Sequence, residues 1–352
     1  MHRRALVCLV ASFVAALPLV SPLAAAEGTS VSGPIVHGNL AIFLVHGTAA
    51  GGAAPLTLQE AMAKGSVQVH ETGSVNELTV ENVGDDEVFV QAGDIVKGGR
   101  QDRVLSVDLL LPPRSGQVSI AAFCVEHGRW TARSNEDGRR FSSAAAAMPS
   151  HEAKLAMRSY LATAAPAPAG RAAAYASRPD VGSSQQEIWN SVKTTQERLT
   201  RSVGAQVAAP ASPSSLQLSL ENEKLKQAQA EYVAALQGAG ETDADVVGYV
   251  FAVNGKINSG DVYASHALFR KMWGKLLAAN VTEAISERDG AGAAPPSVKE
   301  VEAFLAAAQA GPASERQMNA SVRLATREGA ASLYAETIRA DGNWVHRNYL
   351  AK

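Results

Sequence analysis

Apolar residues in this chain come in two rhythms. Over 39–130 they form short runs rich in Val, Ile and Leu, broken by Gly, Asp-Asp or Pro-Pro turns, which is a strand pattern. Residues 39–46 are apolar enough for a buried strand, and 66–71, 76–83, 87–92, 103–111 and 117–126 read as further strands. One helix interrupts them. Thr57-Leu58-Gln59-Glu60 has the spacing of a capping box, in which each end side chain accepts the other residue's backbone N–H, and Gly65 ends the turn.

The rhythm changes after residue 141. Residues 142–184 are rich in Ala, Pro and Ser, with a weak helix near 151–161, and are expected to form a mobile connection. Helices follow at 186–200 and 220–237, separated by a second loose Ala/Pro/Ser segment at 204–215. Residues 246–253 make an apolar strand, Asn254-Gly255 is a strong hairpin signal, and 257–263 returns beside it. The best helix comes next. Leu268, Met272 and Leu276 form one row and Phe269, Trp273, Leu277, Val281 and Ile285 another, an apolar face wide enough to be core. Pro295-Pro296 and the pair Ser297 and Glu300 start a helix to about 308, and 321–326, 331–339 and 343–350 return to strands around an Asp341-Gly342 turn. Strands at both ends with helices between predict an α+β fold on a mainly antiparallel sheet. The β-rich region is 38–141, the connection 142–184, and 185–350 packs on the first region as one composite domain.

Composition narrows the function. The 352 residues are 46% hydrophobic and carry a formal charge of −2, so no global basic field draws nucleic acid to the chain. The N-terminus starts Met1-His2-Arg3-Arg4, runs apolar from 5 to 20 and ends in Ala24-Ala25-Ala26, the layout of a cleavable export signal. Pro18 and Pro22 interrupt that run, which falls short of the ~20 residues of a membrane span. Removing 1–26 takes Arg3, Arg4 and Cys8 but no acid, leaving a formal charge of −4 and Cys124 as the only thiol. The expected product is periplasmic or extracellular, without an intramolecular disulfide or stable membrane insertion.

Two clusters could carry chemistry. In the first, Gly98 and Gly99 can take positive φ and expose successive N–H groups as an anion nest, with Lys97, Arg100, Gln101 and Arg103 around it and Asp102 inside it. In the second, Cys124 and Glu126 share one face of a strand that ends in His127, Arg129 and Trp130. Arg129 and Trp130 offer a guanidinium and a stacking face. A nearby carboxylate raises a thiol's pKa, so a nucleophilic Cys124 needs the surrounding cations to outweigh Glu126. Asp102 and Glu126 form an acid/base pair if their strand ends adjoin. The histidines are scattered without metal-ligand spacing, and no metal site is expected.

These two blocks, 98–103 and 123–130, together with Gly248-Tyr249-Val250-Phe251-Ala252-Val253-Asn254-Gly255-Lys256 and the Leu268-Phe269 and Trp273 positions, resemble the ARG and rhodanese-phosphatase-superfamily-associated protein domain. The resemblance runs from about residue 38 to near the C-terminus. It implies an association with ADP-ribosylglycohydrolases and phosphatase-like proteins, hence with ADP-ribose-like or phosphorylated ligands, and names neither a reaction nor a cofactor. The first expectation is an exported protein that binds a small anionic ligand where the 98–103 loop meets the 126–130 strand end. The second is a hydrolase of a phosphate or glycosidic ester using Asp102 and Glu126. The third is a surface interaction module tethered by its Ala/Pro-rich segments.

Overall fold

The computed structural model describes residues 28–49, 51–129, 138, 140–163, 181–241, 243–288, 290 and 292–352. The expected export signal, residues 164–180 of the expected connection and Trp130 lie outside them. The first strands and helix are β1 (Ser30–His37), β2 (Leu40–His46), β3 (Leu56–Thr57), α1 (Leu58–Ala63), β4 (Val67–Glu71), β5 (Glu77–Asn82) and β6 (Val88–Val90). Next come β7 (Asp94–Gly98), β8 (Arg103–Leu105), β9 (Leu109–Leu111), β10 (Gly116–Cys124) and β11 (Phe141–Ala147). Helices α2 (His151–Thr163), α3 (Val181–Val203), α4 (Leu216–Leu220) and α5 (Glu223–Leu236) precede β12 (Val246–Val253) and β13 (Lys256–Tyr263). The chain ends with α6 (His266–Ser286), α7 (Val298–Gln309), β14 (Ser314–Asn319), β15 (Val322–Glu328), β16 (Ser332–Arg339) and β17 (Trp344–Ala351).

The fold is α+β, as the pattern predicts. Eight antiparallel strands form the main sheet in the order β1-β2-β12-β13-β17-β16-β15-β14, so the two ends of the chain share one sheet. A six-stranded sheet, β11-β7-β8-β10-β5-β4, and a three-stranded one, β3-β6-β9, make the second layer. Strand alternation explains why β2 and β12 are apolar throughout. Leu40, Ile42 and Leu44 of β2 face the larger core with Tyr249 and Phe251 of β12, while Ala41, Phe43 and Val45 face a smaller core under α7.

Helix α6 is the central post of the larger core. Ser265 caps it by accepting the Leu268 N–H, and both predicted rows are buried. Trp273 is 1% exposed, lies against Phe269 and Tyr249, and donates from its indole to Gln237 O at 2.8 Å. The two capping boxes read from the sequence, Thr57 with Glu60 and Ser297 with Glu300, are both formed.

Three expectations need correction. Residues 103–111 do not make one strand: β8 pairs with β7 and β10, whereas β9 joins β6 in the other sheet. Asp108 is the cause, because its carboxylate is taken by groups of β16 and β17, which turns the chain from one sheet to the other. The start of the 142–184 connection is not loose: the weak helix read near 151–161 is α2, β11 precedes it, and Met148, Met157 and Tyr160 are buried. The 204–215 segment is pinned as well, since Ser212, Ser214 and Ser215 bond to the cluster described next.

Candidate functional site

The two sequence blocks do meet. Cys124 lies opposite Arg103 in the β8–β10 ladder, which brings the loop before β8 against the end of β10. Gly98 and Gly99 take φ of +117° and +55°, and an added Cβ on Gly98 would sit 2.5 Å from Arg140 O. The nest therefore exists, but the chain supplies its acceptors. Gly98 N–H donates to Asp102 Oδ1 at 2.9 Å, Gly99 N–H to Arg140 O at 3.1 Å and Arg100 N–H to Glu71 Oε1 at 2.8 Å.

The side chains are engaged in the same way. Arg129 grips Glu126 with two nitrogens, each at 2.8 Å, and lies 3.7 Å from Asp102. Ser215 donates to Asp102 Oδ2 at 2.9 Å, and Ser212 donates to Glu126. Lys97 pairs with Glu221 at 2.7 Å, Gln101 donates to Glu126 O at 3.1 Å, and buried Arg103 donates to Gln101 O at 2.9 Å. Arg100 is exposed and already has a partner, and Arg129 is equally committed, so neither is left as a spare guanidinium for an anion. Burial would raise the Glu126 carboxyl, yet Arg129 and Ser212 hold it below the usual range. It is an ionised hydrogen-bond acceptor, which is unsuited to a general acid at neutral pH.

Cys124 is held still rather than activated. Burial pushes its thiol up to about 12, its Sγ lies 3.0 Å from Gln101 Oε1, and its backbone N–H and carbonyl both bond the Gln185 amide at 2.9 Å. A thiol in that state is not a nucleophile near neutral pH. Gln185 instead uses it to fasten α3 to the sheet. Taken together, the loop and strand end form a buried polar lock.

A second polar cluster lies between the main sheet and the second layer, where sequence reading placed only core. His346 of β17 contacts Asp108 Oδ2 with Nδ1 at 2.7 Å and Asp261 Oδ1 with Nε2 at 3.0 Å. Burial opposes a charged imidazole, but the two carboxylates raise His346 to about 9. Burial likewise works against the Asp108 anion, and His346, Arg158 and the Ala92 N–H outweigh it, bringing Asp108 down to about 2. Asp261 also accepts from Tyr249 Oη at 2.8 Å and Asn348 Nδ2 at 2.9 Å. Thr337 adds 2.6 Å to Asp108, and Tyr263 donates to Gln91 at 2.6 Å. Nearby, Lys275 pairs with Asp94 at 2.8 Å and Lys154 with Glu283 at 3.0 Å.

Beside this cluster is a cavity of about 50 Å³, lined by Lys154, Arg158, Tyr249, Asp261, Asn280 and Asn348 together with Met148, Met157 and Leu276. Arg158 donates one nitrogen to Asn348 Oδ1 at 2.9 Å. Its other terminal nitrogen, Nη1, and Asn280 Nδ2 are buried and meet no acceptor among the described residues. Asn280 lies beside the Tyr249 hydroxyl. The acids here are saturated and the surplus consists of donors, an arrangement that leaves room for an acceptor from outside.

Sequence reading missed these residues, although faint signals exist. Asp108 interrupts a Leu/Val run, Asp261 is the one charged residue of the strand read at 257–263, and Asn280 is the next member of the Leu268, Met272, Leu276 row. A polar residue on a buried face is the informative exception.

Fold and site together define an α+β protein with two mainly antiparallel layers and a charged cavity at their junction. The chain belongs to the ARG and Rhodanese-Phosphatase-superfamily-associated Protein domain family, whose model matches residues 28–350. No curated protein and no solved structure matches it. No helix among the described residues is long and apolar enough to cross a membrane.

Proposed function

We propose that this chain is an exported binding protein for a small anionic ligand, whose charged end enters the cavity between the layers. One observation carries the reading: two residues that each hold a buried donor without a partner, Arg158 and Asn280, line a cavity whose acids already have their hydrogen bonds. Leaving such donors bare costs roughly 1–3 kcal/mol each, so an acceptor that reaches both gains that amount on entry. The 98–103 loop is the weaker candidate because Asp102, Glu71 and Arg140 fill its nest. A chamber of about 50 Å³ takes an end group, so a phosphorylated or ADP-ribose-like ligand would leave its bulk outside. The export signal at 1–26 supports a ligand met outside the cytoplasm.

Calorimetry with acetate and with inorganic phosphate tests this on wild type, Asn280→Ala, Arg158→Gln and Arg100→Ala. Wild type is expected to bind at least one of the two anions. Asn280→Ala should weaken binding about tenfold, Arg158→Gln more, and Arg100→Ala not at all. Absence of binding by folded wild type, or a loss confined to Arg100→Ala, overturns the proposal.

A further inference from the structure

The ligand class follows from what else lines the cavity. Resting on the reading of this cavity as an anion site, we infer that it selects a short-chain aliphatic monocarboxylate over a tetrahedral oxyanion.

Number and charge of donors come first. The unfilled donors are two, Arg158 Nη1 and Asn280 Nδ2, and a carboxylate presents two oxygens. Phosphate and sulfate carry more oxygens than that and leave some of them buried without a partner, which is costly. The surroundings are also electrically balanced: Lys275 offsets Asp94, Lys154 offsets Glu283, and His346 and Arg158 offset Asp108 and Asp261. A balanced, buried site accepts one negative charge more readily than two.

The remaining wall is apolar. Met148, Met157, Leu276 and Ala279 face the same space, and methionine side chains adjust to fill around an alkyl group. An oxyanion with no apolar part gains nothing from these four residues. A tail of a few methylenes does. The size limit is set by the volume of about 50 Å³, which is room for roughly three to five waters. That admits a carboxyl group with a short chain and excludes a long one.

The test is a calorimetric series on the full wild-type chain at pH 6.5: formate, acetate, propionate, butyrate and hexanoate, with propionamide, sulfate and inorganic phosphate for comparison. Affinity should rise roughly fourfold per methylene from formate to butyrate and fall at hexanoate. Propionamide, with the same tail and no charge, should bind at least tenfold more weakly than propionate. The methyl resonances of Met148 and Met157 should move with propionate. Phosphate or sulfate binding more tightly than every carboxylate, an affinity independent of chain length, or equal binding of propionamide overturns the inference while leaving the anion site in place. Silence from every anion removes both.

Discussion

In the lock between β8 and β10, Arg129 meets Glu126 through two nitrogens and the glycine nest closes on the chain's own acceptors. At the junction of the layers, Arg158 bonds Asn348 with one nitrogen and leaves the other bare beside a cavity. Both regions are buried and rich in Arg, Asp and hydrogen bonds. What separates them is what faces the guanidiniums: in the first, Glu71, Glu126 and Asp102 of the chain itself lie against Arg103 and Arg129, and in the second Arg158 and Asn280 line a cavity. Charge density in a sequence marks where polar groups gather, whereas the leftover after internal pairing marks where a ligand can enter.

The comparison implies different costs for similar substitutions. Arg129→Ala removes the guanidinium that meets buried Glu126 through two nitrogens and should destabilise by about 3–5 kcal/mol, the range for breaking a buried ion pair. Trp273→Ala, a purely apolar truncation in the α6 core, should cost a similar ~3–5 kcal/mol and sets the scale. Arg158→Gln should cost no more than about 1–2 kcal/mol, since Asp108 and Asp261 keep His346 and their other donors. Chemical denaturation measures all three. Equal losses from Arg129→Ala and Arg158→Gln would erase the distinction between lock and cavity.

Acid and base sharpen the contrast next. His346 is raised to about 9 in the folded chain, so its stabilisation is complete below the unfolded value of 6.5 and is lost as pH rises through about 9. Asp108 is lowered to about 2, so its contribution is present above 3.8 and is lost as pH falls through about 2. Stability against denaturant should therefore be highest between roughly pH 4 and 6.5 and decline by up to about 3 kcal/mol toward pH 9. His346→Asn should remove the alkaline decline. A decline of the same size in that variant would place its origin elsewhere.

The smallest of these effects concerns the lock alone. Cys124, buried with its thiol raised to about 12, should react with iodoacetamide at least a hundredfold more slowly in the folded chain than in denaturant. Rapid alkylation of folded protein would restore it as a candidate nucleophile.

Much of the fold was legible because burial on both faces leaves a plain mark. β2, β12 and α6 show it, and the capping boxes and the Asn254-Gly255 turn fix local structure by chemistry within four residues. The order of β11 and of 204–215 was not legible, although the helix at 151–161 was. Their Ala and Ser side chains signal flexibility locally and gain order only from distant partners, such as Glu126 for Ser212 and Asp102 for Ser215. The meeting of the two blocks could be foreseen from strand pairing, and the Arg103–Cys124 register agrees. That the nest would be filled could not, because Glu71 and Arg140 come from strands and turns remote in sequence. The same distance hid the cavity, whose Arg158, Asn280 and Asp261 lie on three separate elements.

The location of a bound anion decides most directly between lock and cavity. Bromide is a monoanion that anomalous diffraction locates without assumption about its site, and crystals of the full chain soaked in sodium bromide would show where it settles. A peak is expected in the cavity within hydrogen-bonding reach of Arg158 Nη1 and Asn280 Nδ2, and none replacing Asp102 or Glu71 at the Gly98 and Arg100 amides. A peak at those amides with the cavity empty would contradict it.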